Sequence, residues 1–285
     1  MDASILLWEK WHQQVKELLP GVHGHQKKTL ALIVVGIIFS GTAVLQRIAE
    51  SLYLQGISSA KMISIERRLA RFVANGRVQV TPVWRAFLSQ VLPYWHGKAV
   101  RLVLDCTPCG DHASIVYLGL LVHSRVLPLA WRVMPLQEVW DQGQWELVGQ
   151  MFDEVKPYLA SCDCTLIADR GLSGAPLVKA CRDRKWHYLL RINQVHTCRR
   201  WMRLGWTDWC ACGQVIHKAG QQWFGRVLLW QDKTIATYLS AVWDEEHREA
   251  WFLIFDQPAG WRRVQEYRLR MRVESPTGCA TRLTL

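Results

Sequence analysis

The pattern of apolar and polar positions changes character near residue 98. Before that point apolar residues recur every three or four positions. Leu6, Trp8, Trp11, Val15 and Leu18–Leu19 form one such stripe and predict a helix over 3–19. The run from Leu30 to Ser40, continuing through Thr42 to Leu45, is apolar on all sides and predicts a buried helix. It is shorter than the roughly 20 apolar residues of a membrane span. Gly36, Ser40, Gly41 and Thr42 also interrupt it, so a buried helix is favoured over a span. In Ser64–Ala74, Ile65, Leu69 and Phe72–Val73 make one face, while Arg67, Arg68 and Arg71 lie off it. Such a helix can contact DNA through phosphates, or simply present a solvated basic face. Pro82 and the stretch Pro93–Lys98 mark a boundary.

From residue 99 the pattern changes to strands. Val100–Cys106, Ser114–Val122 and Val126–Met134 predict three strands with short links, an antiparallel meander. Residues 141–159 are amphipathic at helical spacing, with Trp145, Val148, Phe152 and Val155 on one side. Thr165–Ala168 reads as a short buried strand ending at Asp169, and Gly171 permits a sharp turn after it. Pro176 fits the first turn of a helix over 174–184, and Trp186–Ile192 is a fifth strand. Between 195 and 261 the pattern breaks. Gln214–Lys218, Trp223–Trp230, Thr234–Trp243 and Ala250–Asp256 predict strands of a mostly β insertion. Trp261–Val273 then predicts a basic helix, with Val264, Tyr267 and Met271 facing the core.

Charge narrows the partners. The 285 residues carry a formal net charge of +11 with a sequence pI near 9.4. This balance favours a polyanion, nucleic acid before membrane. The N-terminus has no basic-then-apolar leader. Nine cysteines without a secreted spacing point to a reducing cytoplasm. Cys106–Cys109 has CxxC spacing, and Cys162/Cys164 and Cys210/Cys212 are CxC pairs. No second CxxC completes a zinc set. Trp201, Trp206 and Trp209 lie among Arg199, Arg200 and Arg203, a composition that can stack on bases or simply pack.

The candidate chemistry lies in the carboxylates. Asp105 falls on the first strand and Asp169 just past the fourth. A lone aspartate at a strand end is usually a cap. Two of them in the order strand, strand, strand, helix, strand, helix, strand form a stronger signal. Tyr267, Arg270 and Glu274 follow at i, i+3 and i+7 on the late helix, so they share a face. Glu266 and Glu249 compete with Glu274 as a third acid.

This arrangement resembles the DDE transposases of bacterial insertion sequences, specifically the type-four group. That group's signature is Tyr, two residues, Arg, three residues, Glu, six residues, Lys. Tyr267, Arg270 and Glu274 match it in register, and Thr281 stands at the lysine position. The segments around Leu104–Thr107 and Ala168–Gly171 are similar to the family's first two acid motifs. The three acids lie 64 and 105 positions apart (169 − 105 and 274 − 169), and the longer gap suits the family's β insertion.

The resemblance implies an α/β fold. It would be a ribonuclease-H-like mixed sheet with flanking helices, a mostly β insertion and an N-terminal helical domain. Its expected domains are residues 1–97 (helical, DNA-binding), 98–194 with 262–285 (catalytic) and 195–261 (insertion). The implied activity is metal-dependent DNA strand cleavage and strand transfer at insertion-sequence ends. Asp105, Asp169 and Glu274 would be catalytic and would hold two Mg²⁺ ions, with Mn²⁺ as a substitute. Tyr267 and Arg270 would position DNA phosphate. Arg170, Arg67, Arg68 and Arg71 are further candidate DNA contacts. Partners would be double-stranded DNA, at element ends and target, and a second copy in a synaptic dimer. No membrane partner is expected, and the location would be cytoplasmic, associated with the nucleoid. After Glu274, Pro276 and Gly278 are expected to stop the helix early, which reads as a truncated or frameshifted end. The rival reading is therefore an inactive derivative that only binds DNA or partner subunits.

Overall fold

A computed structural model describes residues 3–109, 111, 113–123, 125–135, 142–245 and 248–271. Glu274, Thr281 and the rest of the C-terminal segment lie outside the described residues. The chain divides between Pro93 and Tyr94 into two compact units.

The first unit is helical: α1 (Ala3–Leu18), α2 (Gly24–Ser40), α3 (Leu45–Leu54), α4 (Met62–Val73) and α5 (Val80–Val91). The apolar stretch anticipated from Leu30 to Leu45 is broken. Gly41 adopts φ +67° and its amide donates to the Ile37 carbonyl in the last turn of α2, and α3 starts four residues later. Leu32 of α2, Ile48, Ala49 and Leu52 of α3, and Ile65 and Leu69 of α4 form one buried cluster. Gly36 lets α2 and α3 approach closely, because a Cβ there would lie 2.4 Å from Cγ2 of Ile48. No single helix among the described residues is long and apolar enough to cross a membrane. The pair α2 and α3 meets that test by length and composition, but the chain bends 87° between them.

The second unit is mixed α/β. Its strands are β1 (Ala99–Cys109), β2 (Ala113–Val122), β3 (Arg125–Pro135), β4 (Asp163–Ala168), β5 (His187–Ile192), β6 (Thr197–Met202), β7 (Gly205–Trp206), β8 (Cys210–Ala211), β9 (Gln222–Leu229), β10 (Ile235–Val242) and β11 (Trp251–Phe255). The helices are α6 (Gln142–Val155), α7 (Ala175–Asp183) and α8 (Trp261–Met271). One sheet runs β3-β2-β1-β4-β5-β11-β10-β9-β6-β7, with β8 beside β6. The β1–β2–β3 meander is antiparallel, while β4 pairs parallel with β1 and with β5. A register shift at Leu118/Gly119 bends β2 against β3. A Cβ on Gly119 would come within 2.1 Å of Cγ1 of Val126, so the close approach needs glycine.

The insertion is β-rich, and its long strands extend the same sheet: β11 joins β5, and β10 and β9 follow. It differs from expectation in one respect. The strand anticipated over Gln214–Lys218 does not form. A 3-10 turn spans Cys212–Gln214 instead, and Val215 and Ile216 are buried without strand pairing. Their apolar character reflects burial, which a short run does not distinguish from a strand.

α8 packs on the middle of the sheet. Val264 and Tyr267 are fully buried against Ile167, Leu189, Val242, Trp251, Leu253 and Phe255. Alternation along β1 puts residues 101, 103 and 105 on one face, and the parallel register aligns Val103 with Ile167. That face is the one α8 covers.

Candidate active site

Asp105 and Asp169 come together because β1 and β4 are neighbours in parallel register. The last paired positions are Leu104 and Ala168, so each aspartate is the next residue along the chain, Asp105 within β1 and Asp169 just past β4. Asp105 lies within β1, opposite Tyr117 of β2. Its Oδ1 accepts from its neighbour's amide, Cys106 N, at 2.9 Å, and its Oδ2 accepts from the Tyr117 hydroxyl at 3.3 Å. Asp169 caps the 3-10 turn Arg170–Leu172, accepting from the Arg170 amide at 2.7 Å.

α8 supplies the groups that link them. Arg270 donates from Nη2 to Oδ1 of Asp105 at 3.1 Å and places Nη1 3.6 Å from Oδ2 of Asp169. Its guanidinium is 3% exposed. One turn earlier, the Tyr267 hydroxyl donates to Oδ1 of Asp169 at 3.2 Å. Burial, then the negative charge of Asp169, push the Tyr267 phenol well above the ordinary tyrosine range. Trp251 meets the Tyr267 ring edge-on at 5.5 Å and supports it. Tyr267 and Arg270, three residues apart on α8, thus point to the same carboxylate pair, Tyr267 to Asp169 and Arg270 to both.

A second layer surrounds Asp169. Arg191 on β5 places Nη1 3.9 Å from Asp169 and donates from Nη2 to Glu249 at 2.7 Å. Its guanidinium lies over the Trp251 ring. Glu249 also accepts from Arg170 at 2.8 Å. Hydrogen bonds from Arg191, then Arg170, hold the Glu249 carboxyl below its usual range. The three carboxylates Asp105, Asp169 and Glu249 therefore sit among the guanidiniums of Arg270, Arg191 and Arg170.

Both rivals for the third acid are ion-paired to arginines. Glu249 is the partner of Arg170 and Arg191. Glu266 is buried and takes Arg101 Nε at 2.9 Å and Arg263 Nη1 at 2.6 Å, pinning α8 to β1. Glu274 lies outside the described residues. Among the described residues, no group of three or more His, Cys, Asp or Glu has the spacing to hold a metal ion. The pair Asp105 and Asp169 supplies hard oxygen donors, the kind that suits Mg²⁺ or Mn²⁺.

The remaining anticipated residues are spread out. Arg170 is exposed and paired with Glu249. Arg67, Arg68 and Arg71 stand on the exposed side of α4, in the first unit. Trp201 and Trp206 face each other across the β6–β7 hairpin in an edge-on contact at 5.1 Å. Among the thiols, Cys106 and Cys109 both lie on β1. Cys198 faces Cys210 across β6 and β8, and Cys210 Sγ donates to the Cys198 carbonyl at 3.7 Å. A hydrogen bond from Cys212 draws the Cys198 thiol downward.

Two groups escaped the sequence reading. Arg191 carries a signal, a single charge within the apolar strand His187–Ile192. Tyr117 carries none until β2 is set in register against β1. Comparison with protein-family models and with curated proteins returned no match for this chain.

Proposed function

We propose that the second unit is the catalytic part of a DDE-type transposase, cutting and joining DNA strands by metal-dependent phosphoryl transfer. One observation carries the reading. Two aspartates 64 positions apart meet at the ends of paired positions on adjacent parallel strands, where Tyr267 donates to Asp169 and Arg270 ion-pairs with both. The strand order β3-β2-β1-β4-β5, with only β2 reversed among these five, supports a ribonuclease-H-like architecture within the α/β class.

In this reading Asp105 and Asp169 are the oxygen ligands among the described residues, with Glu274 as the expected third. Bound divalent cations would stabilise the attacking and leaving oxygens of an in-line displacement at phosphorus. The chain's own groups prepare the site. Arg270 holds the two carboxylates together and offsets their repulsion. Tyr267, kept protonated, orients Asp169 by donating to it. Arg191, braced by Glu249 and Trp251, adds positive charge beside Asp169, where a phosphate would gain from it. Arg170, at the surface next to Asp169, is placed to meet the DNA backbone. Arg67, Arg68 and Arg71 give the first unit a basic face for duplex DNA. The proposal includes two copies of the chain in a cytoplasmic, nucleoid-associated complex.

A second reading has an observation in its favour. Arg270 already ion-pairs with both aspartates, as expected of a derivative that binds DNA or partner subunits without cutting it. The two readings separate in one experiment. Purified chain is incubated with supercoiled and linear DNA carrying the element ends, with Mg²⁺ or Mn²⁺. Metal-dependent nicking that disappears in Asp105→Asn, with binding retained, supports the enzyme. Nicking that survives in Asp105→Asn removes Asp105 from the chemistry, and salt-sensitive binding without nicking supports the inactive derivative.

A further inference from the structure

A groove of about 610 Å³, with neither aspartate in its lining, lies between α7 and the connection from β9 to β10. Its walls are Ala175, Pro176, Lys179, Arg182 and Asp183 on one side and Lys233, Thr234 and Ile235 on the other. Three cations face one anion. Lys179 and Arg182 are three residues apart on α7 and so share a face. Lys233 lies across from them on a different element.

Arg182 differs from an ordinary surface arginine in being fixed. Its Nη2 donates to the Ala236 carbonyl at 2.6 Å and to the Tyr188 hydroxyl at 3.2 Å. Both bonds use one nitrogen, which leaves Nε and Nη1 as donors for another group. The guanidinium also lies 5.9 Å from the centre of the Tyr188 ring. A guanidinium held in this way has less rotamer freedom left to lose on binding an anion. Lys179 and Lys233 are exposed and add mobile charge on either side. The lining between them is small or apolar, so a chain can lie along the groove without burying a carboxylate beyond Asp183.

We infer that this groove binds a DNA strand through its phosphates, with Arg182 as the fixed contact and Lys179 and Lys233 as the flanking ones. Cations on two walls exceed what a single phosphate requires and match a run of them. The inference rests on the transposase reading only for the choice of DNA as the polyanion, and it adds a contact surface that the Asp105 and Asp169 site does not provide.

Salt dependence tests it. Binding of the full chain to a duplex and to a single strand of the same length is measured from low to high salt. The variant is Lys179→Gln with Lys233→Gln. The control removes equal charge from the same unit, Lys156→Gln with Lys218→Gln. Each lost phosphate contact should flatten the slope of log affinity against log salt by about 0.9 on duplex. The groove variant should therefore lose about 1.8 in slope and bind about 60-fold more weakly at 0.1 M salt, taking 1 M as reference. The control should keep the parent slope. Matching thermal melts show that both variants fold.

Equal slopes in the two variants overturn the inference. So does inorganic phosphate or a mononucleotide that binds the parent as tightly as the strand and loses affinity in the groove variant, which would make this a small-anion pocket. A flattened slope in a chain that never nicks DNA leaves the groove standing and removes the catalytic reading. Nicking with an unchanged slope does the reverse.

Discussion

A guanidinium that is nearly inaccessible to water and bonded to two carboxylates is costly to remove, because its loss leaves like charges facing each other. Arg270→Ala should lower stability by about 3 kcal/mol or more, read by urea unfolding. If the aspartates are metal ligands, the same variant should regain part of that loss in Mg²⁺ or Mn²⁺, while the parent gains less. Tyr267 gives a separate test. Its pKa is raised from the ordinary 10.0, mainly by burial. The neutral phenol is therefore favoured in the folded protein, and that stability is present below the unfolded value and lost as pH climbs past it. Titration of phenolate absorbance should show Tyr267 ionising only as the protein unfolds. Tyr267→Phe should lack that contribution and lose about 1 kcal/mol for the missing bond to Asp169. Asp105, Asp169, Tyr267 and Arg270 were legible in the sequence because each has a spacing that fold geometry must respect. Tyr117 was not, because its place beside Asp105 depends on how two strands slide into register.

At the scale of elements, α8 is attached by an ion triad centred on the buried Glu266 as well as by its apolar stripe. Glu266 joins Arg101 of β1 to Arg263 on its own helix. Glu266→Gln should weaken the docking of α8 by roughly 3 kcal/mol, with faster amide exchange in that helix before global unfolding. In the first unit, Gly36→Ala would force a methyl group onto Ile48. It should destabilise the helices by about 1–3 kcal/mol through overpacking, seen as a lower melting temperature. Long periodic segments such as α4 and the β1–β2–β3 meander could be read directly, because one face of each is buried. The short pairings of β6, β7 and β8 could not. They are two to six residues long, and their sequence is dominated by arginine, cysteine and tryptophan rather than by alternation. The insertion was recognisable as β-rich, but its continuation of the central sheet depends on β11 pairing with β5, a contact between residues about 60 positions apart.

For the whole molecule, the division at Pro93/Tyr94 gives each unit its own buried cluster. Urea unfolding followed by tryptophan fluorescence and by far-ultraviolet dichroism should therefore show non-coincident transitions. Coincident curves would mean that the two units unfold as one. The excess of positive charge could be read from composition alone, but its distribution could not. Part of it is used internally, by Arg270, Arg191 and Arg101 against carboxylates, and only the remainder is available to a polyanion.

The adjacency of β1 and β4 also bears on how such a protein can change. Hydrogen bonding between the two backbones measures out the interval from one aspartate to the other, much as rungs fix the width of a ladder. Loops among the 63 intervening residues could lengthen or shorten across generations while that interval stayed constant. A slip of a single rung between the same two backbones would separate the pair at once.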